Sequence, residues 1–165
     1  MKHISITFLL CLILSRVSAS SVLASTYGFN SINATTAFQA AILSAYDTVI
    51  VDLQPTDWNV NPNSFYNVNN KVIIFQPNVK LNAISGAFNA TNACLLRLTN
   101  CTNIQLIGYG AEFKMNKAEY ALLNNSEYRM SISLWSCQNV TIKGMTLNES
   151  GGDGVYIHEY LRHRL

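Results

Sequence analysis

The chain has 165 residues, 49% of them hydrophobic and 12% charged, with a formal net charge of +2 and a mean hydropathy of +0.15. The lysines and arginines are scattered, which excludes the basic patch that a nucleic-acid-binding surface needs. The length holds one domain, and the apolar content excludes a disordered chain.

Met1-Lys2-His3 is a short basic start, Ile4 to Leu14 is apolar, and Val17-Ser18-Ala19 is a small-residue cleavage site. This order predicts a secretory signal peptide over residues 1–19. Its apolar run is shorter than the ~20 residues of a membrane span, so no membrane anchor remains after cleavage. Thr36 and Gln39 then have capping-box spacing. Phe38, Ala41, Ile42 and Ala45 recur at i, i+3, i+4 and i+7 and predict an amphipathic helix over Thr36 to Ala45. Asp47 to Leu53 has a buried-strand pattern, whereas Gln54 to Asn70 is polar and Asn-rich and predicts a long loop anchored by Trp58, Phe65 and Tyr66. Strands resume at Lys71 to Phe75 and at Val79 to Leu81.

From Ala93 onward the chain repeats itself. Cys101-Thr102-Asn103-Ile104-Gln105-Leu106-Ile107-Gly108 matches Cys137-Gln138-Asn139-Val140-Thr141-Ile142-Lys143-Gly144 at a constant offset of 36. Asn116 to Glu127 reads as an excursion that lengthens this repeat. Ser131-Ile132-Ser133-Leu134 aligns with Gly154-Val155-Tyr156-Ile157 at an offset of 23. Short strands recurring at fixed offsets are the mark of a stacked solenoid. The expected fold is all-β, a right-handed parallel β-helix over residues 20–157, its amino-terminal end covered by the amphipathic helix. A jelly roll or sandwich is the competing all-β arrangement. Residues lying side by side on one sheet would put Arg129 beside Gly152 and its guanidinium within reach of the Asp153 carboxylate.

Once Cys11 leaves with the signal, Cys94, Cys101 and Cys137 remain, an odd set for an oxidising compartment. Cys101 and Cys137 hold equivalent repeat positions and either bond or pack as small apolar groups. Six sequons start at Asn33, Asn89, Asn100, Asn124, Asn139 and Asn148, each an acceptor for N-glycosylation in a eukaryotic secretory path. Asn100 and Asn139 sit in turns of the repeat, where a glycan has least room.

The helix at Thr36, the paired Asn-x-hydrophobic-x-hydrophobic-x-Gly runs at Asn103 and Asn139, and the run from Ser150 to Ile157 resemble right-handed parallel β-helix proteins of the pectate lyase-like superfamily. The resemblance implies a secreted protein acting on or binding polysaccharide, and calcium as the cofactor to look for. It also implies many more coils than are present. The chain therefore reads as the amino-terminal part of a longer protein, with residues 158–165 an irregular basic tail.

Asp153, in the turn Gly151-Gly152-Asp153-Gly154, is the candidate catalytic carboxylate, since sugar chemistry uses carboxylates as acid, base, nucleophile or calcium ligand. Asp between glycines is also a turn residue in its own right. Arg129 is its expected partner, and in β-helix lyases, as the resemblance implies, such a residue serves as base. Glu127 and Glu149 would extend the acidic cluster. Tyr156 alternates with Val155 and Ile157 and points outward, where it would stack on a sugar ring. His158 and His163 lack metal-ligand spacing. Two functions stay open, a carbohydrate-active enzyme of lyase or hydrolase type and a non-catalytic glycan-binding or structural module.

Overall fold

A computed structural model of the chain describes residues 20–159. The signal segment 1–19 and the end of the tail, His163 included, lie outside the described residues. The protein is mostly β, with three parallel sheets and few helices. The thirteen strands among the described residues are β1 (Ser21–Leu23), β2 (Thr48–Val51), β3 (Trp58–Val60), β4 (Ser64–Tyr66), β5 (Asn69–Phe75), β6 (Lys80–Ala83), β7 (Leu96–Thr99), β8 (Thr102–Ile107), β9 (Glu112–Lys114), β10 (Ile132–Trp135), β11 (Gln138–Lys143), β12 (Thr146–Asn148) and β13 (Val155–His158). The first sheet has the order β1-β2-β5-β8-β11, the second β12-β9-β6-β3, and the third β13-β10-β7-β4.

From β2 onward the chain visits the three sheets in rotation. Each strand pairs in parallel with the strand three further along. Both repeat offsets are structural registers. Ile142 pairs with Leu106 at 36 residues on the first sheet, and Ile132 pairs with Val155 at 23 on the third.

Inward-facing residues stack in columns. Val49, Ile73 and Leu106 line up in the first sheet, all fully buried. In the third sheet Phe65, Leu98 and Leu134 stack at 1%, 1% and 6% exposure, and the column ends on Ile157 at 72%. Parallel strands this short bury little each, so the fold rests on the continuity of such columns.

The helix α1 spans Thr35–Ile42. Its stripe is as expected at Phe38, Ala41 and Ile42, all fully buried, while Ala45 falls beyond its end. The Phe38 ring lies 6.1 Å from Phe65 and 6.3 Å from Phe75. The expected Thr36–Gln39 capping box is not formed. The helix starts without a side-chain cap on Ala34, and Asn33 Oδ1 instead accepts the Thr35 N–H at 3.0 Å. Beyond the helix, the buried Lys71 ammonium donates to the carbonyls of Ser44 and Tyr46, both at 2.7 Å.

The stretch 54–70 is not one long loop. It contains β3 and β4, with Trp58 and Phe65 buried in the core and Tyr66 59% exposed. The asparagines that suggested a loop mark the corners instead. Asn67, Asn100 and Ser136 share one corner position with φ of 56°, 54° and 51°, and Asn70, Asn103 and Asn139, each second in β5, β8 and β11, share another left-handed position with φ of 54°, 57° and 52°. Asparagine enters this left-handed region at less cost than most side chains. The second set also forms an amide ladder, Asn139 Nδ2 to Asn103 Oδ1 and Asn103 Nδ2 to Asn70 Oδ1, both 2.8 Å.

The corners differ in their tolerance of length. From the third sheet back to the first the link is always a pair, 67–68, 100–101 and 136–137. From the second sheet to the third it is 61–63, then 84–95, then 115–131, then 149–154. Segment 115–131 holds the short helix α2 (Lys117–Tyr120) and a 3-10 turn, Ser126–Tyr128.

Candidate functional site

The long second-to-third corners build a groove of about 290 Å³ lined by Glu127, Tyr128, Met130, Gly152, Asp153 and Tyr156. Glu127 and Tyr128 come from the 3-10 turn. Met130 leads into β10, Asp153 precedes β13, and Tyr156 lies within it. Three of the residues singled out in the sequence, Asp153, Glu127 and Tyr156, thus meet in one concavity.

The glycines of the Gly-Gly-Asp-Gly turn explain the groove's floor. A Cβ on Gly151 would lie 2.2 Å from the Ser126 carbonyl oxygen, with Gly152 similarly crowded by Glu127. Neither glycine has a positive φ. The reason for them is close approach of the protein's own backbone. The N–H groups of Gly151 and Gly152 donate to the Arg129 carbonyl at 2.9 and 3.4 Å.

Arg129 is therefore beside Gly152 in backbone, but its side chain does not go to Asp153. It is 1% exposed. Nε donates to Phe88 O at 2.7 Å, Nη2 to Asn89 O at 2.6 Å, and Nη1 to Asn125 O at 2.8 Å and Asn124 O at 3.3 Å. Its face lies 5.9 Å from the centre of the Tyr120 ring. The expected Arg129–Asp153 pair is replaced by a clamp that ties segment 84–95 to segment 115–131. The physical reason is satisfaction of donors. A buried guanidinium carries five N–H groups, and four carbonyls from two loops answer them better than one exposed carboxylate. Tyr120 beneath it is buried as well, which pushes its phenol up to about 12.

Glu149 is also drawn elsewhere, to Lys114 Nζ at 3.9 Å on the surface, where such a pair is worth little. Asp153 is exposed. The calcium reading needs more ligands than the groove supplies. Calcium takes six to eight oxygens. Among the described residues no three His, Cys, Asp or Glu side chains converge to hold an ion. The groove's own carboxylates are two, Glu127 and Asp153.

Sequence reasoning missed the surface beside the groove. The outward row Ser64, Arg97, Ser133, Tyr156 runs next to the row Tyr66, Thr99, Trp135, His158 on the third sheet. Trp135 lies 6.0 Å from Tyr156 and 4.4 Å from His158, the Tyr156 and His158 rings are nearly parallel at 8°, and the Arg97 guanidinium sits 5.6 Å from the Trp135 ring centre. The signal was present. Trp135 and His158 share the alternation of Ser133 and Tyr156 at the same offset of 23.

All six sequon asparagines are exposed. Three of them donate from their amide nitrogens, Asn89 to Gly86 O at 2.6 Å, Asn139 in the ladder and Asn148 to Glu112 Oε1 at 2.7 Å. No family model, curated protein or solved structure matches the chain.

Proposed function

We propose that the chain is a secreted, N-glycosylated protein of the pectate lyase-like superfamily, a right-handed parallel β-helix whose α1 caps the amino-terminal end, and that it binds polysaccharide in the groove of Asp153 and Tyr156. The observation that carries this reading is the meeting of flat rings with polar groups. Tyr156 lines the groove beside Asp153 and Glu127, and Trp135 extends the aromatic surface alongside. Sugar rings present a C–H face to aromatics and hydroxyls to carboxylates, so a site for them combines an apolar platform with a few placed polar groups. The rotation through three parallel sheets supports the β-helix, and the burial of Phe38 against Phe65 and Phe75 supports the cap.

Affinity electrophoresis through gels containing neutral or acidic polysaccharides tests the binding. Retardation of the wild type by at least one glycan, weakened about tenfold or more in Tyr156→Ala, is expected. No retardation in any gel overturns the reading.

A second reading, hydrolysis, is favoured by the presence of two carboxylates in one groove, the donor set that glycoside hydrolysis employs. A lyase has less support, because Arg129, its expected base, is committed to four carbonyls. Under hydrolysis, Asp153→Asn lowers the release of reducing ends by about 10²–10⁴-fold. Unchanged release assigns Asp153 to the turn.

A further inference from the structure

Cys101 and Cys137 hold the same place in successive third-to-first corners. The flanking pairs Thr99–Trp135 and Thr102–Gln138 set them in register, and Val68 stands in the same column one coil earlier. Parallel neighbours in register are about 4.8 Å apart, inside the ~4.4–6.8 Å Cα separation that a disulfide spans. Both thiols are free. Their sulfurs point the same way along the stack, Cys101 Sγ lying 3.8 Å from Phe65 O and Cys137 Sγ 3.4 Å from Leu98 O, each a carbonyl one coil back. The Cys137 sulfur is thereby aimed toward the coil that holds Cys101. Cys94 lies in another corner, its thiol donating to Asn92 O at 3.2 Å with Arg97 Nη2 at 3.5 Å from its sulfur.

We infer that Cys101 and Cys137 are a thiol pair that closes to a coil-to-coil disulfide on meeting a small disulfide oxidant such as glutathione disulfide, with Cys94 left out. The half-buried Cys137, as thiolate, attacks one sulfur of glutathione disulfide, forming a mixed disulfide and releasing one glutathione thiolate. Cys101, as thiolate, then attacks Cys137 Sγ, and the second glutathione leaves. Two protein thiols are oxidised, one glutathione disulfide is reduced to two glutathiones, and the two thiol protons end on them. Burial pushes the Cys101 thiol up, so the closing step is the slow one at neutral pH.

The test is to reduce the full chain, equilibrate it with excess glutathione disulfide, alkylate, and map the unreduced digest by mass spectrometry. A linked pair of fragments carrying Cys101 and Cys137, with alkylated Cys94, is expected. The linked protein is also expected to melt roughly 5 °C or more above its reduced form, because the bridge closes a long loop of the unfolded chain. Cys101→Val repeats the residue that Val68 already supplies in this column. This variant is expected to fold and to show no change in melting on oxidation. A bond involving Cys94, a persistent glutathione adduct on Cys137, full alkylation of Cys101 and Cys137 after oxidation, or an equal rise in the variant overturns the inference.

Discussion

Gly152 stands so close to Glu127 that a Cβ built on it would lie 2.0 Å from the Glu127 carbonyl oxygen. The contact locks the floor of the groove to its wall. Gly152→Ala must push the 3-10 turn outward, since the obstacle is backbone and not the far end of a flexible side chain. Destabilisation of about 1–3 kcal/mol is expected in urea unfolding. Glycan retardation should fall together with it, because Glu127 and Tyr128 move with the turn.

Arg129 provides a sharper separation of structure from function. Arg129→Met leaves the carbonyls of Phe88 and Asn89 without their guanidinium donors and takes one of two donors from Asn125, which keeps the Tyr128 N–H, at a cost of about 3 kcal/mol or more. Arg129→Lys keeps the charge but cannot reach both segments with one ammonium, so its loss is smaller. Urea midpoints should rank wild type above Arg129→Lys above Arg129→Met. A substrate-binding arginine would reverse the emphasis, with normal midpoints and lost affinity.

Stability should fall in alkali through Tyr120. Its folded value of about 12 exceeds the ordinary 10.0, so the folded state holds the proton more tightly than the unfolded chain. That contribution is complete below pH 10 and is lost as pH rises toward 12. The Cys101 thiol, also raised by burial, adds a loss of the same sign that begins near pH 9. Lys71 acts the other way. Desolvation lowers its value from 10.5, so the penalty of its buried charge is relieved as pH approaches 10.5. Urea midpoints measured from pH 9 to 12 should decline in the wild type and decline less in Tyr120→Phe.

The amide ladder can be divided by two substitutions at one position. Asn103→Ala loses both ladder bonds and places a Cβ at φ 57°, whereas Asn103→Gly loses the bonds alone. The alanine variant should be less stable than the glycine variant by about 1 kcal/mol, the cost of the left-handed conformation. Equal midpoints would show that the ladder, and not the backbone, sets the preference for asparagine.

The offsets of 36 and 23 were legible because stacking demands like residues at like positions, as in the columns through Leu106 and Leu134. Strands β3 and β4 were not, since three residues give no periodicity and the asparagines around them carry the same signal in a corner as in a loop. The backbone position of Arg129 followed from the register. The direction of its side chain did not, because it depends on carbonyls of residues 88–89 and 124–125 that arrive by excursions of unrelated length. Tyr156 was legible by alternation, and its neighbour Trp135 followed the same rule but had not been joined to it.

The unequal corners divide the molecule into a part that counts residues and a part that does not. Between the third sheet and the first, two residues are spent every time, and inserting a third would turn the next strand inside out. Between the second and the third, the chain already accepts segments as different as 61–63 and 115–131 without disturbing the register on either side. Foreign peptides grafted into 84–95 or 115–131, away from Arg129 and its carbonyls, should therefore be displayed on one edge while the columns stay in place. The same architecture would let recognition diversify by insertion at a single edge, independently of the scaffold that bears it.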